Sequence, residues 1–200
     1  KRKIYRVITS DKETARRGRV LVYWRFSVSD LTTENFLLQR KNDLLKQLIS
    51  VMNTTPKLDN ILRYILDLIN MSTTAEASVM LFKEVVEGEN LTIRAVSGIK
   101  KKFIGREWPM SQGLIAECYT TGMERIIDSP GAEPGFSPQF GQMLEMSINN
   151  MMVFPMQSEE GRLLGAVGVL NKKDGMSFSE EDQELARILV EQAANLTGQA

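Results

Sequence analysis

Histidine is absent from the 200 residues and cysteine occurs once, at Cys118, so the side chains that most often serve as base, nucleophile or metal ligand are nearly missing. Ser-His-Asp and Cys-His catalysis are thereby excluded, together with a histidine-bound zinc and the proximal histidine of a haem. The carboxylates are scattered over surface-like positions, and no nucleophile has a base beside it. The sequence therefore predicts a protein that is not an enzyme and needs neither metal nor cofactor. Cys118 lies on the apolar face of a short helical run and reads as an inert core residue. A lone thiol permits no internal disulfide, which favours a reducing, cytoplasmic setting.

Apolar residues make up 42% of the chain and charged residues 25%, the balance of an ordinary globular domain. No stretch approaches the ~20 apolar residues of a membrane helix, so a soluble chain is expected. It opens at Lys1 without an apolar signal region and reads as an excerpt of a longer protein. The 25 basic and 25 acidic residues cancel but are unevenly placed. Nine of residues 1–25 are Lys or Arg against Asp11 and Glu13, a balance of +7. Such an arm could meet phosphates or a membrane surface, or be the solvated end of a preceding domain; without stacked aromatics or a groove reader, no nucleic-acid partner is expected.

The elements follow from periodicity. Alternation over Lys3–Thr9 and Arg19–Val28 predicts a hairpin within a basic N-terminal segment, residues 1–30. Leu37, Leu44 and Val51 then recur every seven residues, thickened by Leu38, Leu45, Leu48 and Met52. This predicts a linker helix over 31–54 that either forms a coiled coil or packs on its own domain. Thr55 and Pro56 suit the start of a second helix over 56–71, with Leu58, Ile61, Leu62, Ile65, Leu68 and Ile69 on one face. Strand-like runs follow at 77–86 and 91–97 around a Gly88 turn, with a short strand at Phe103–Ile104. A short helix from Ser111 to Gly122, a strand at 125–128 and a helix from Ser137-Pro138 come next. The hairpin of 150–156 and 163–171 is the clearest in the chain, its second arm nearly all apolar and interrupted by Gly165 and Gly168, which leave room for a close neighbour. Ser179 caps a final helix carrying Glu180, Glu181 and Asp182 in its first turn. Helices at both ends of paired strands imply an α+β domain built on an antiparallel sheet.

With these elements in place, residues 56–196 resemble a GAF domain, the small-molecule sensing module of phosphodiesterases, adenylate cyclases and bacterial signalling proteins. The resemblance rests on Ala77-Ser78-Val79-Met80-Leu81-Phe82, Ser111-Gln112-Gly113-Leu114-Ile115-Ala116, Asn150-Met151-Met152-Val153-Phe154-Pro155 and Leu164-Gly165-Ala166-Val167-Gly168-Val169-Leu170-Asn171-Lys172, in the family's order and spacing. It implies a GAF domain over 55–197 whose antiparallel six-stranded sheet is flanked by N- and C-terminal helices. Asn171, Lys172, Phe178, Asp182 and Gln183 are similar to the Asn-Lys…Phe-x-x-x-Asp-Glu motif of the cyclic-nucleotide binders, with Gln183 in place of Glu. Lys172 ends the last strand and Asp182 opens the final helix, so an ion pair between them would clamp the two while Phe178 plugs the connection; the alternative role is ligand contact.

By the same resemblance the ligand would lie between sheet and short helices, against Ser78, Val96, Ser97, Leu114, Ile115 and Phe136. Leu144 and Ile148 stand where such binders offer threonine hydroxyls, and Ser97 replaces an acidic residue, which weakens recognition of a purine. Each of these residues could equally fill a core. The family's haem and bilin sensors are disfavoured by the absent histidine, and its methionine sulfoxide reductases by the single cysteine. The resemblance thus implies a regulatory sensor that binds a small ligand, cyclic AMP or cyclic GMP foremost, inside a hollow of the domain. Its terminal helices would pass the signal to an effector domain of the same chain. The alternative is a ligand-free module that aligns effector domains as a homodimer through helices 31–71 and 180–197.

Overall fold

The computed structural model describes residues 28–54, 57–84 and 88–198, with side chains from 33 onward. The chain divides into two units, residues 1–39 and 40–200. The hairpin expected within 1–30 lies outside the described residues up to 27, and Val28 already belongs to helix α1, Val28–Thr54. The remaining elements are α2 (Leu58–Thr73), β1 (Ala75–Lys83), β2 (Asn90–Ser97), β3 (Glu107–Pro109), α3 (Gly113–Thr121), β4 (Arg125–Ile127), α4 (Pro138–Met143), β5 (Met151–Gln157), β6 (Leu163–Lys172) and α5 (Glu180–Gly198). Thr55 and Pro56, expected to start α2, are outside the described residues, as are 85–87 of the β1–β2 turn.

The six strands form one antiparallel sheet in the order β3-β2-β1-β6-β5-β4, the α+β architecture expected. Alternation sorts each strand between two cores. Met80, Phe82, Met152, Phe154, Val167 and Val169 face α2 and α5, which contribute Leu62, Ile65, Ile69, Leu189 and Val190. Ala77, Val79, Leu81, Met151, Val153, Ala166 and Leu170 face the opposite way, toward α3 and α4. Within the second unit, Leu48 of α1 is 2% exposed in the first of these cores and Leu44 packs against it. Of the two uses foreseen for the seven-residue repeat, packing on its own domain is therefore realised there.

Phe103–Ile104 is not a strand. Lys101–Phe103 forms a single 3-10 turn, Gly105 follows at φ +86° with its N–H on the Ile93 carbonyl of β2 at 2.8 Å, and the β2–β3 ladder runs on from Glu107. The buried Phe103 ring explains the difference. It is pulled into the α3-side core, with Lys102 and Arg106 each 5.1 Å from its centroid, so the backbone turns to deliver it.

The start of α5 is built as its sequence implies. Ser179 Oγ accepts the Asp182 backbone N–H at 3.1 Å, while Asp182 Oδ2 accepts the Ser179 backbone N–H at 2.7 Å and its hydroxyl at 2.8 Å. This reciprocal cap satisfies N–H groups that the first turn would otherwise leave unpaired. Among the described residues, no helix is long and apolar enough to cross a membrane.

Candidate functional site

The expected site sits on the α3–α4 side of the sheet. Its floor is a row across four strands, Val96, Val79, Gly168 and Val153, each paired in register with the next. At Gly168 the missing side chain leaves a gap, and Ile115 of α3 enters it so closely that a Cβ on residue 168 would lie 2.9 Å from Ile115 Cδ1. Gly122 closes α3 in the left-handed conformation, φ +68°, with its N–H on the Cys118 carbonyl at 2.9 Å. Leu144, Phe140 and half-buried Phe136, Met143, Met146 and Ile148 complete the roof, with Phe140 edge-on to Trp108 at 4.9 Å between centroids.

A cavity of about 10 Å³ lies among Trp108, Gly113, Leu114, Ile115, Phe136, Ser137, Phe140 and Met151. That is room for about one water molecule. The hollow expected from the sequence is therefore filled, chiefly because Ile115 occupies the space that Gly168 provides. The polar groups around it bond one another: Trp108 Nε1–H donates to the Gln112 carbonyl at 2.7 Å, Gln112 Nε2 to Ser137 Oγ at 2.8 Å, and Ser137 Oγ to Gln139 Oε1 at 2.7 Å.

Six of the eight residues expected to line the site, Val96, Leu114, Ile115, Phe136, Leu144 and Ile148, come together in this core. Ser78 and Ser97 do not. Period-two alternation turns each to the α2 side, because it directly neighbours a strand residue that faces α3. Ser78 Oγ donates to the Leu66 carbonyl at 3.3 Å; Ser97 Oγ donates to Asp67 Oδ1 at 2.6 Å and accepts from Asn70 Nδ2 at 2.9 Å. Both hydroxyls pin α2 to the sheet. Trp108, Ser137 and Phe140 line the cavity as well, and none of them is among the eight residues expected from the sequence.

A second, open depression of about 280 Å³ lies on the other side, beside α5, bounded by Glu124, Phe154, Pro155, Gln157, Ser158, Arg187, Val190 and Glu191. Two of its charged residues are paired, Arg187 donating to Glu124 at 2.7 Å and also to Glu184 at 2.5 Å.

The Asn171–Gln183 motif is assembled as a structural joint. Lys172 Nζ donates to Asp182 Oδ2, the carboxylate that also caps α5, and both side chains are largely buried. Phe178 lies beneath with its ring 5.8 Å from the ammonium, and Gln183 Nε2 donates to the Phe178 carbonyl at 3.2 Å. Cys118 is buried, and its thiol is pushed up from 9.0 to about 12, first by burial and then by the carboxylates of Glu124 and Glu117, with Arg125 opposing. It stays a neutral thiol near pH 7, a poor nucleophile. Among the described residues, no three of His, Cys, Asp and Glu converge as a metal site would require.

This two-faced sheet agrees with what comparison with known proteins finds. A family model described as GAF domain matches residues 55–196. The chain belongs to the GAF domain family. The GAF domain of a phosphoenolpyruvate-protein phosphotransferase from Coxiella burnetii superposes with a TM-score of 0.70 at 18% identity, covering 80% of this chain and 94% of that one. Residues 122 to 287 of a methyl-accepting chemotaxis protein give 0.65 at 19% identity, over 76% and 95%. A free methionine-R-sulfoxide reductase from Neisseria meningitidis, in complex with its substrate, gives 0.60 at 17%, over 80% and 90%. At these identities the likeness is one of fold. A search of curated proteins gives no match.

Proposed function

We propose that this GAF domain is a regulatory sensor within a larger signalling protein, in which α1 and α5 pass a conformational change to an effector domain of the same chain. One observation carries the reading. Arg40 and Lys41 of α1 pair with Glu181 and Glu184, in the first turns of α5, at 2.5 and 2.7 Å. The helix that enters the domain and the helix that leaves it are thus joined on one face of the sheet. The GAF domains of signalling proteins among its structural relatives support the same role.

In this reading residues 1–30 are a basic lead-in, 31–54 the linker helix and 55–197 the sensor, and the setting is cytoplasmic, where Cys118 remains a thiol. The domain works as a homodimer through α1, α2 and α5, aligning two effector domains. Ile49 and Met52, exposed on α1, supply apolar surface for that contact.

The packed α3–α4 side favours a resting state without ligand over a standing nucleotide site. A cyclic nucleotide could enter only by displacing Ile115, Phe136 and Leu144, and its purine would meet few free donors or acceptors. A second reading, small-ligand binding with cyclic AMP or cyclic GMP as the first candidates, is favoured by the gathering of six expected lining residues at one place.

Thermal unfolding with each nucleotide up to millimolar concentration, beside sedimentation of the free chain, separates the readings. The expected result is a dimer with an unshifted transition. A raised transition establishes the second reading, and a strict monomer at high micromolar concentration overturns the dimeric relay.

A further inference from the structure

The segment 144–149 carries Leu144 and Ile148 into the α3-side core, whereas α5 lies on the opposite side of the sheet. Two buried asparagines, each 6% exposed, stand between them at the adjacent ends of β5 and β6. Their bonds are reciprocal. Asn171 Oδ1 accepts the Asn149 backbone N–H at 2.8 Å, and Asn150 Oδ1 accepts the Lys172 backbone N–H at 2.8 Å. Between these two bonds the Asn171 backbone N–H donates to the Asn150 carbonyl at 3.0 Å. Each amide nitrogen then reaches further. Asn171 Nδ2 donates to the Ser147 carbonyl at 2.7 Å and to Glu76 Oε2 at 2.9 Å, and Asn150 Nδ2 donates to the Met176 carbonyl at 3.1 Å, in the connection leading to α5.

The backbone conformation shows that this arrangement is imposed rather than incidental. Asn171 holds φ +56°, a left-handed conformation for which asparagine is among the better-suited residues other than glycine. The turn it makes aims its carboxamide back at segment 144–149 while the next residue, Lys172, extends to Asp182. One residue therefore grips the segment over the α3-side core, and its covalent neighbour grips the carboxylate that caps α5.

We infer that Asn150 and Asn171 form a clasp that transmits displacement of segment 144–149 on the α3 side to the first turn of α5 on the other. The inference rests on the relay reading above and supplies its route through the sheet. Segment 144–149 is the input arm, held at its outer end by Glu145 ion-paired with Lys100 and Lys102. The Lys172–Asp182 pair is the output arm. A change that lifts Ile148 or Leu144 must strain or break the Asn149–Asn171 bond, and the strain reaches the Ser179–Asp182 cap through a single peptide link.

Backbone hydrogen exchange in the intact 200-residue chain tests this without any ligand. Ile148→Ala mimics the lifted segment. We expect it to speed exchange about three-fold or more at Asn149 and also at Ser179 and Asp182, whose N–H groups form the cap, while Val79 in central β1 keeps its rate. In an Asn150→Ala/Asn171→Gly background the same change should no longer reach Ser179 and Asp182. Glycine accepts the positive φ, so the variant removes the carboxamide without opposing the turn; if the double variant does not fold, Asn171→Gly alone is read in the same way. A response confined to Asn149, no response, an equal response at Val79, or transmission that survives loss of the clasp each overturns the proposal. Those results would remove this route yet leave the relay itself standing, because the relay is judged by sedimentation and thermal titration.

Discussion

At the scale of single residues, the buried groups that carry charge or hold it back are the most informative. Cys118 keeps its proton in the folded chain to about pH 12, whereas the unfolded chain loses it near 9.0. A folded value above the unfolded one gives stability that is complete below pH 9 and drains away as pH rises toward 12. Thermal or urea unfolding across that interval should show a decline of up to about 1.4 kcal/mol per pH unit from this group, and Cys118→Ala should remove that part of the slope. Thiol reagents near neutral pH should label Cys118 only as the chain unfolds.

Asp182 answers to a different rule. Its carboxylate meets both the Lys172 ammonium and the Ser179 N–H and hydroxyl, so Asp182→Asn leaves a largely buried cation without a counter-charge. Such losses typically cost about 3–5 kcal/mol, and a urea midpoint will show it; adding Lys172→Met should recover part of the loss, since it removes the stranded charge. A simple surface pair would give under ~1 kcal/mol and no recovery.

At the scale of elements, the joint between α1 and α5 is sensitive to acid. The Lys41 ammonium, hydrogen-bonded to Glu184, holds that carboxyl below its ordinary 4.5, with Arg187 adding to the effect against the cost of burial. A depressed folded value means the contribution is present above pH 4.5 and is lost as pH falls toward the folded value. Protection factors of α1 amides, exchange taken relative to the intrinsic rate at each pH, should therefore fall on acidification below 4.5, and Lys41→Ala should produce part of that fall at neutral pH. The contact of α3 with the sheet is steric instead. Gly168→Val would drive a branched side chain into Ile115, and overpacking of this kind costs about 1–3 kcal/mol by denaturant unfolding.

The elements were legible where a periodic pattern met a specific end signal. Ser179 with three acids after it announced α5, and Gly122 announced the end of α3. Phe103 is ambiguous in the sequence because a lone aromatic in a polar stretch gives the same signal in a strand and in a turn that delivers it to a core. Ser78 and Ser97 lie on the α2 side for a different reason. Val96 and Ser97 are consecutive strand residues and cannot both line one face, a constraint present in the sequence that the family resemblance does not carry. The filled interior was not legible, since Gly168 signals space without saying whether a ligand or Ile115 takes it.

At the scale of the whole molecule, the described residues divide near Arg40, where the second unit begins. Within it Leu44 and Leu48 complete the helical core, so a chain of residues 40–200 should unfold cooperatively, with a thermal midpoint within a few degrees of the full chain. The same truncation at residue 56 would strip Leu48 from that core and lower the midpoint clearly, since loss of a buried leucine side chain alone is worth about 2–5 kcal/mol.

The tightness with which Ile115 plugs the Gly168 gap also bears on how this domain meets hydrostatic compression. Squeezing a protein favours the denatured chain to the extent that unfolding eliminates internal voids. A cavity of only about 10 Å³ among Trp108, Ile115 and Phe140 gives compression little to collapse there. Carving a void there with Ile115→Ala should make the chain measurably more barosensitive, and a small apolar gas such as xenon, lodged in the new space, should restore its resistance.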